Sequence, residues 1–151
     1  MGDRRKCQTF TASPPEPGGL PAMLEMISQD AACFYNNHIV IGASAGAVAV
    51  EEKSGTSVAE AFRGVRSALH QNHGLITASR HSIDDAAFWF IALERCCQVQ
   101  LAIEASGVKT VAVPQDRCEY SAKHVGSDYI GWLHFQTLYD QIAEQQPDMF
   151  E

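Results

Sequence analysis

The chain has 151 residues, of which 46% are hydrophobic and 19% charged, and a net charge of −7. That length suits one domain around a single core, and the composition excludes a disordered chain. An acidic surface repels phosphate backbones, which argues against nucleic acid as a partner.

Residues 1–19 read as a disordered tail. Pro14, Pro15 and Pro17 remove amide donors, Gly18-Gly19 offers no side chain to pack, and the one dense basic cluster, Arg4-Arg5-Lys6, falls here. Met1–Phe10 lacks the apolar centre of a secretory signal, and no stretch approaches the roughly 18 apolar residues of a membrane span. Cys7, Cys33, Cys96, Cys97 and Cys118 form no CxxC pair and leave one over, which reads as reduced thiols in a cytoplasmic protein. The expectation is therefore a cytoplasmic domain over 20–146 with no membrane partner, followed by an acidic tail over 147–151.

Within that domain, Asp30–Tyr35 is a short apolar run that period alone does not assign to helix or strand. His38–Ile41 and Ala47–Val50 predict two short strands around a small-residue turn. Ser57–Phe62 opens a helix that Thr56 or Ser57 caps. Ser67–His70 and Leu75–Ala78 predict strands flanking a sharp turn at Asn72-His73-Gly74, where Gly74 supplies positive φ and Asn72 braces the loop. A long helix runs over Ile83–Ala105, started by a variant capping box of Ser82 with Asp85 and ended by Gly107. Ile83, Ala87, Phe90, Cys97 and Leu101 recur at helical spacing and predict its buried stripe, with Glu94 on the same stripe. Val108–Val113 predicts a strand ending at Pro114, and Asp128–Glu144 a last helix.

Two motifs carry chemistry. An imidazole in a tight turn between strands can bind a divalent transition metal or move a proton, although a lone turn histidine is more often structural. Gly42-Ala43-Ser44-Ala45-Gly46 has the Gly-x-Ser-x-Gly spacing of a nucleophile elbow behind the apolar run Ile39–Ile41. After Gly46, however, only two turns of helix fit before Gly55, so a small-residue turn is the better reading of Ser44.

Asn72-His73-Gly74-Leu75, then Ile83-Asp84-Asp85-Ala86-Ala87-Phe88 and Leu93-Glu94-Arg95, resembles the later half of class II aldolase/adducin domains. Ser28–Tyr35, Val125-Gly126-Ser127 and Gly131-Trp132 extend the resemblance over about Leu20–Ile142. It implies a truncated α/β/α layered domain that assembles into homo-oligomers, dimers or tetramers, and takes a small-molecule substrate. In catalytic members three histidines hold a divalent metal, most often zinc, for lyase chemistry. His73 matches the third ligand; the place of the other two reads Gln8–Pro17 and contains no histidine.

The resemblance thus implies an aldolase-like lyase or cyclase working on a small hydroxycarbonyl or polyketide-like substrate of secondary metabolism. Its site residues would be His73 and Asn72, with Glu94 and Tyr129 as proton-transfer partners and Trp132 and His70 lining the substrate. Tyr120 and Tyr139 are further aromatic candidates, and His38, His70, His81, His124 and His134, with Glu94, Asp84 and Asp85 as carboxylates, are the donors from which a metal site could be rebuilt. Glu94 has a second reading as the partner of Arg63, Arg66 or Arg80 in an ion pair. The alternatives are a non-catalytic, adducin-like interaction protein and, remotely, a serine hydrolase using Ser44.

Overall fold

The computed structural model describes residues 23–42, 60–71 and 74–150. The tail over 1–19, the strand over 47–50, Ser44, Asn72 and His73 lie outside the described residues. In chain order the elements are α1 (Gln29–Ala32), β1 (His38–Ile41), β2 (Ser67–His70), β3 (Gly74–Thr77), α2 (Ile83–Ser106), α3 (Gln115–His124) and α4 (Asp128–Gln145). The acidic end of the chain forms a single 3-10 turn, Pro147–Phe150.

The described sheet has the order β1-β2-β3. β1 runs parallel to β2 with His38 opposite Ser67 and Ile41 opposite His70. β2 and β3 are antiparallel, with Leu69 opposite Leu75 and His70 opposite Gly74. All four residues of β2 are buried, so this middle strand is covered on both faces, as a layered α/β domain requires. The strands expected at 38–41 and 67–70 form with those bounds, and the third begins one residue earlier than expected.

Serine caps start three helices. Ser28, Ser82 and Ser127 accept the backbone N–H of Ala31, Asp85 and Ile130 respectively, each satisfying an amide with no partner inside its helix. The expected capping box at Ser82 is only half formed. The Asp85 carboxylate instead accepts from Ser79 Oγ at 2.9 Å, while that same oxygen accepts the Ser82 N–H at 3.3 Å. Gly107 ends α2 at φ 67°, a left-handed value that suits glycine.

The buried stripe of α2 corrects the sequence reading. Asp85, Trp89, Leu93, Cys96, Cys97 and Gln100 are buried, whereas Ile83 is 84% exposed and Glu94 half-buried. Leu93, Cys97 and Trp89 join Leu24, Phe34 and Leu69 in the core, where Phe34 and Trp89 meet edge to face at 5.5 Å. Gln100 is accommodated because its Oε1 accepts the Glu25 N–H at 2.8 Å and its Nε2 donates to Glu104 at 3.1 Å.

Length and apolar composition alone would let α2 cross a membrane, contrary to the sequence reading that no stretch comes near. Its buried Asp85 and Gln100, and its packing between sheet and α4, are those of a core helix.

α4 lies antiparallel on α2: Gln136 Nε2 donates to Asp84 at 3.1 Å, and His134 stacks on Phe88 at 5.1 Å. The closest approach is at Gly131, where an added Cβ would lie 2.4 Å from Trp89 Nε1. Gly126, in the link from α3, is as tight: an added Cβ would lie 2.6 Å from the Ala122 carbonyl oxygen and 2.7 Å from that of Cys33.

Two segments depart from expectation. Residues 108–113 form no strand. Val108 and Val111 are 68% and 85% exposed, and the segment is tied down by Val113 N–H donating to the Met26 carbonyl. Asp30–Tyr35, which was open, is a short helix and turns.

Candidate functional site

His70 is the last residue of β2 and is 6% exposed. Gly74 begins β3 at φ 117°, so the backbone leaves the loop in a conformation that favours glycine, as the sequence implied. The Asn72-His73-Gly74 segment thus connects the buried β2 to a half-buried β3 paired with it in a defined register.

Of the other site candidates, Glu94 lies on α2 and Tyr129 and Trp132 on α4. Tyr129 is 58% exposed in the first turn of α4 and stacks on Trp132 at 5.9 Å. Its neighbour Asp128 is held by Arg66, which precedes the start of β2, whereas the loop follows the end of β2. Glu94 lies mid-way along α2 and accepts from Gln98 at 3.3 Å. Arg66 pairs with Asp128, and Arg63 with Glu60 at 3.8 Å.

The histidines are dispersed as well. His81 follows β3, Tyr120 packs on His124 at 4.2 Å, and His134 lies on Phe88. His38 is 6% exposed, with Nδ1 2.9 Å from the Phe34 carbonyl oxygen. Nδ1 therefore carries the proton and Nε2 is a bare acceptor, without a hydrogen-bond partner among the described residues. Burial lowers the His38 pKa, partly offset by that hydrogen bond.

Among the described residues no three His, Cys, Asp or Glu side chains converge as metal ligands, so the rebuilt site considered for these histidines is not realised there. The described donors do not fit a metal, and no chemical step is assigned to one.

A polar assembly that the sequence reading missed sits where β2 and α4 begin. The Arg66 side chain is 14% exposed, with Nη2 3.1 Å from Asp128 Oδ1 and its guanidinium carbon 4.7 Å from the Trp89 ring centroid. Such a cation over indole is worth about 0.5–2 kcal/mol. Asp85 is fully buried, and its Oδ1 has no hydrogen-bond partner among the described residues, nor do Arg66 Nε and Nη1.

Burial pulls the Arg66 pKa down, while Asp128, Asp85 and Cys33 push it back up. Asn37 completes the assembly: its Oδ1 accepts the Arg66 backbone N–H and its carbonyl accepts from Ser67 Oγ, each at 2.9 Å. A cleft of 280 Å³ opens here, lined by Asn37, Gly64, Arg66, Ser79, Arg80 and Asp128 among others. The sequence singles out Arg66 and Arg80 as partners for Glu94, and Asp85 as part of the capping box, with no sign that they meet. The signal that could have found the assembly is Asp85, a carboxylate in line with Trp89 and Leu93.

A second, more apolar cleft of 340 Å³ lies between α1, α2 and α4, lined by Cys33, Phe88, Trp89, Ala92, Ile130 and His134 among others. Cys33, Cys96, Cys97 and Cys118 are free thiols, as expected for them, and burial raises the pKa of Cys33 and of Cys118.

Comparison with known proteins matches this fold. The family model described as "Class II Aldolase and Adducin N-terminal domain" fits residues 12–101, and the chain belongs to that family. It is 33% identical over 126 residues to "Decarboxylase NovR" of Streptomyces niveus, covering 83% of this chain and 46% of that protein. A relative from Streptomyces roseochromogenus subsp. oscitans, "4-hydroxy-3-prenylphenylpyruvate oxygenase/4-hydroxy-3-prenylbenzoate synthase", is 32% identical over 126 residues, covering 83% of this chain and 44% of the relative. The chain thus spans about half the length of the curated relatives it matches.

Among solved structures, the L-fuculose 1-phosphate aldolase from Glaciozyma antarctica PI12 superposes with a TM-score of 0.73 at 25% identity, over 95% of this chain and 50% of that one. An aldolase II superfamily protein from Pseudomonas syringae superposes with a TM-score of 0.71 at 21% identity, over 93% and 54% of the two chains. The α/β class II aldolase fold expected from the sequence is the fold observed. Proteins of this family commonly use a divalent metal, act on small molecules and form oligomers.

Proposed function

We propose that this chain carries lyase-type chemistry of the class II aldolase family. It makes or breaks a carbon–carbon bond next to a carbonyl, with His73 as general acid/base and Asn72 bracing the loop. The observation that supports this most is the mounting of the Asn72-His73-Gly74 turn, between the buried β2 and a β3 that opens at a positive-φ glycine. Proton transfer by one positioned imidazole contributes about 10²–10⁴-fold to a rate.

The names of the two Streptomyces relatives support the carbonyl acids of secondary metabolism as a substrate class. One is named a decarboxylase, and the other an oxygenase and synthase whose name pairs a phenylpyruvate with a benzoate. Within that class we favour a small hydroxycarbonyl, 2-oxo-acid or polyketide-like substrate undergoing aldol cleavage, ring closure or dehydration. His70, Glu94, Tyr129 and Trp132 are assigned supporting roles, in a cytoplasmic homo-oligomer that binds neither nucleic acid nor membrane, and the acid/base step is read without a metal because the described donors do not gather as ligands.

Purified protein incubated with a panel of aromatic 2-oxo acids and β-hydroxy ketones, with products followed by mass spectrometry, tests the reading. We expect turnover of at least one compound, reduced about 10²–10⁴-fold by His73→Ala. Turnover that His73→Ala leaves intact would reject the assigned role.

One observation favours the non-catalytic reading: Tyr129, Leu133, Tyr139 and Ile142 leave an apolar, exposed set of side chains on α4. No turnover on any panel member, together with a stable oligomer by light scattering, would select it.

A further inference from the structure

The cleft beside Arg66 has more hydrogen-bond donors than the protein uses. Arg80 is exposed and makes no ion pair with any described residue, and Arg66 lines the cleft with its Nη2 on Asp128, its Nε and Nη1 being closed off from solvent. Asn37 spends its side-chain oxygen on the Arg66 N–H, which leaves its NH₂ group as a third donor in the lining. Ser79 Oγ is committed to Asp85 and to the turn before α2. Against these donors the cleft sets one carboxylate, Asp128, whose side chain is half exposed. Such a concentration of donors is out of keeping with a chain of net charge −7.

We propose that this cleft is an oxyanion subsite, which holds a carboxylate or phosphate group of a small molecule between Arg80 and Arg66. Guanidinium groups fit either oxyanion through paired N–H donors, and such charge-assisted bonds are the stronger kind. The half-exposed Asp128 gives up little on returning to water, so an incoming oxyanion competes with it for the same edge of Arg66. At 280 Å³ the cleft has room for such a group together with a small organic body. It sits at the start of β2, away from the His73 loop, so it does not depend on the lyase reading.

Isothermal titration calorimetry of the full chain in low-salt buffer, with benzoate and with inorganic phosphate as probes, tests this without any turnover. We expect saturable binding of at least one probe, weakened about tenfold or more by Arg80→Gln. Arg80 is exposed, so this variant should fold. Arg117→Gln, at an exposed arginine beside Asp116 on α3, should bind as the parent does.

Asp128→Asn should bind more tightly, because the competing charge is gone. Benzoate alone binding would identify a carboxylate ligand, and phosphate alone a phosphorylated one; either supports the subsite. No saturable binding of either probe, equal affinity in Arg80→Gln, equal loss in Arg117→Gln, or weaker binding by Asp128→Asn would overturn it.

Discussion

At one end of the β2–β3 strand pair the proposed chemistry rests on near neighbours in sequence: His70, Asn72, His73 and Gly74. At the other end Asn37, Arg66, Ser79, Asp85 and Asp128 come together from the start of β1, the start of β2, the turn after β3, and the first turns of α2 and α4. The first end is a motif displayed on the fold. The second is a junction that the fold itself assembles, and it anchors two helix starts to the sheet. Changes at the first should alter chemistry, and changes at the second should alter stability.

The largest expected effect is at Arg66. Arg66→Met removes the guanidinium from the Trp89 ring, at about 0.5–2 kcal/mol, and also breaks the pair with the half-exposed Asp128, so a loss of about 1–3 kcal/mol is expected. Urea denaturation measures this, and a loss below about 1 kcal/mol would erase the contrast between the two ends.

Next comes Gly131→Ala, which sets a methyl group against Trp89 Nε1 and forces α4 away from α2. Overpacking of this kind costs about 1–3 kcal/mol, and a thermal melt reads it as a lower midpoint.

The smallest effect is at His38, which lies near the junction on β1. Its pKa is lowered in the folded chain, so the unfolded chain takes up the proton first as pH falls. Its stabilising contribution is complete above the ordinary histidine value and is lost as pH drops below it towards the folded value. The stability difference between the parent and His38→Gln should therefore shrink on acidification through that window. A difference that does not vary with pH would remove His38 from the account.

Legibility in the sequence followed the same division. The ends of α2 were readable because Ser82 and Gly107 act through local backbone chemistry. Its buried face was not, because apolar residues occur all around the helix and the residues that belong inside include Asp85 and Gln100. A hydrophobic period counts those two as surface and promotes Ile83, which is exposed.

Val108–Val113 has the β-branched residues of a strand but pairs with no strand among the described residues, and β-propensity is largely a property of such neighbours. α3 was missed because Gln115–His124 is polar and has one buried side chain, Cys118, to mark its inner face. At the candidate site the Asn72-His73-Gly74 loop was visible as a motif. The Arg66 junction had no motif, since its members become neighbours only when β2, α2 and α4 dock.

Gly131 has an optical consequence. With no side chain there, the Trp89 indole is wedged between the α4 backbone on one side and the Arg66 guanidinium on another, while Trp132 is only half-buried. These are the only two tryptophans in the chain. In a Trp132→Phe background, emission from Trp89 would come from a single point where sheet, α2 and α4 meet. It would turn red when that junction opens to water, so the protein carries its own dye at the place where its helices are joined.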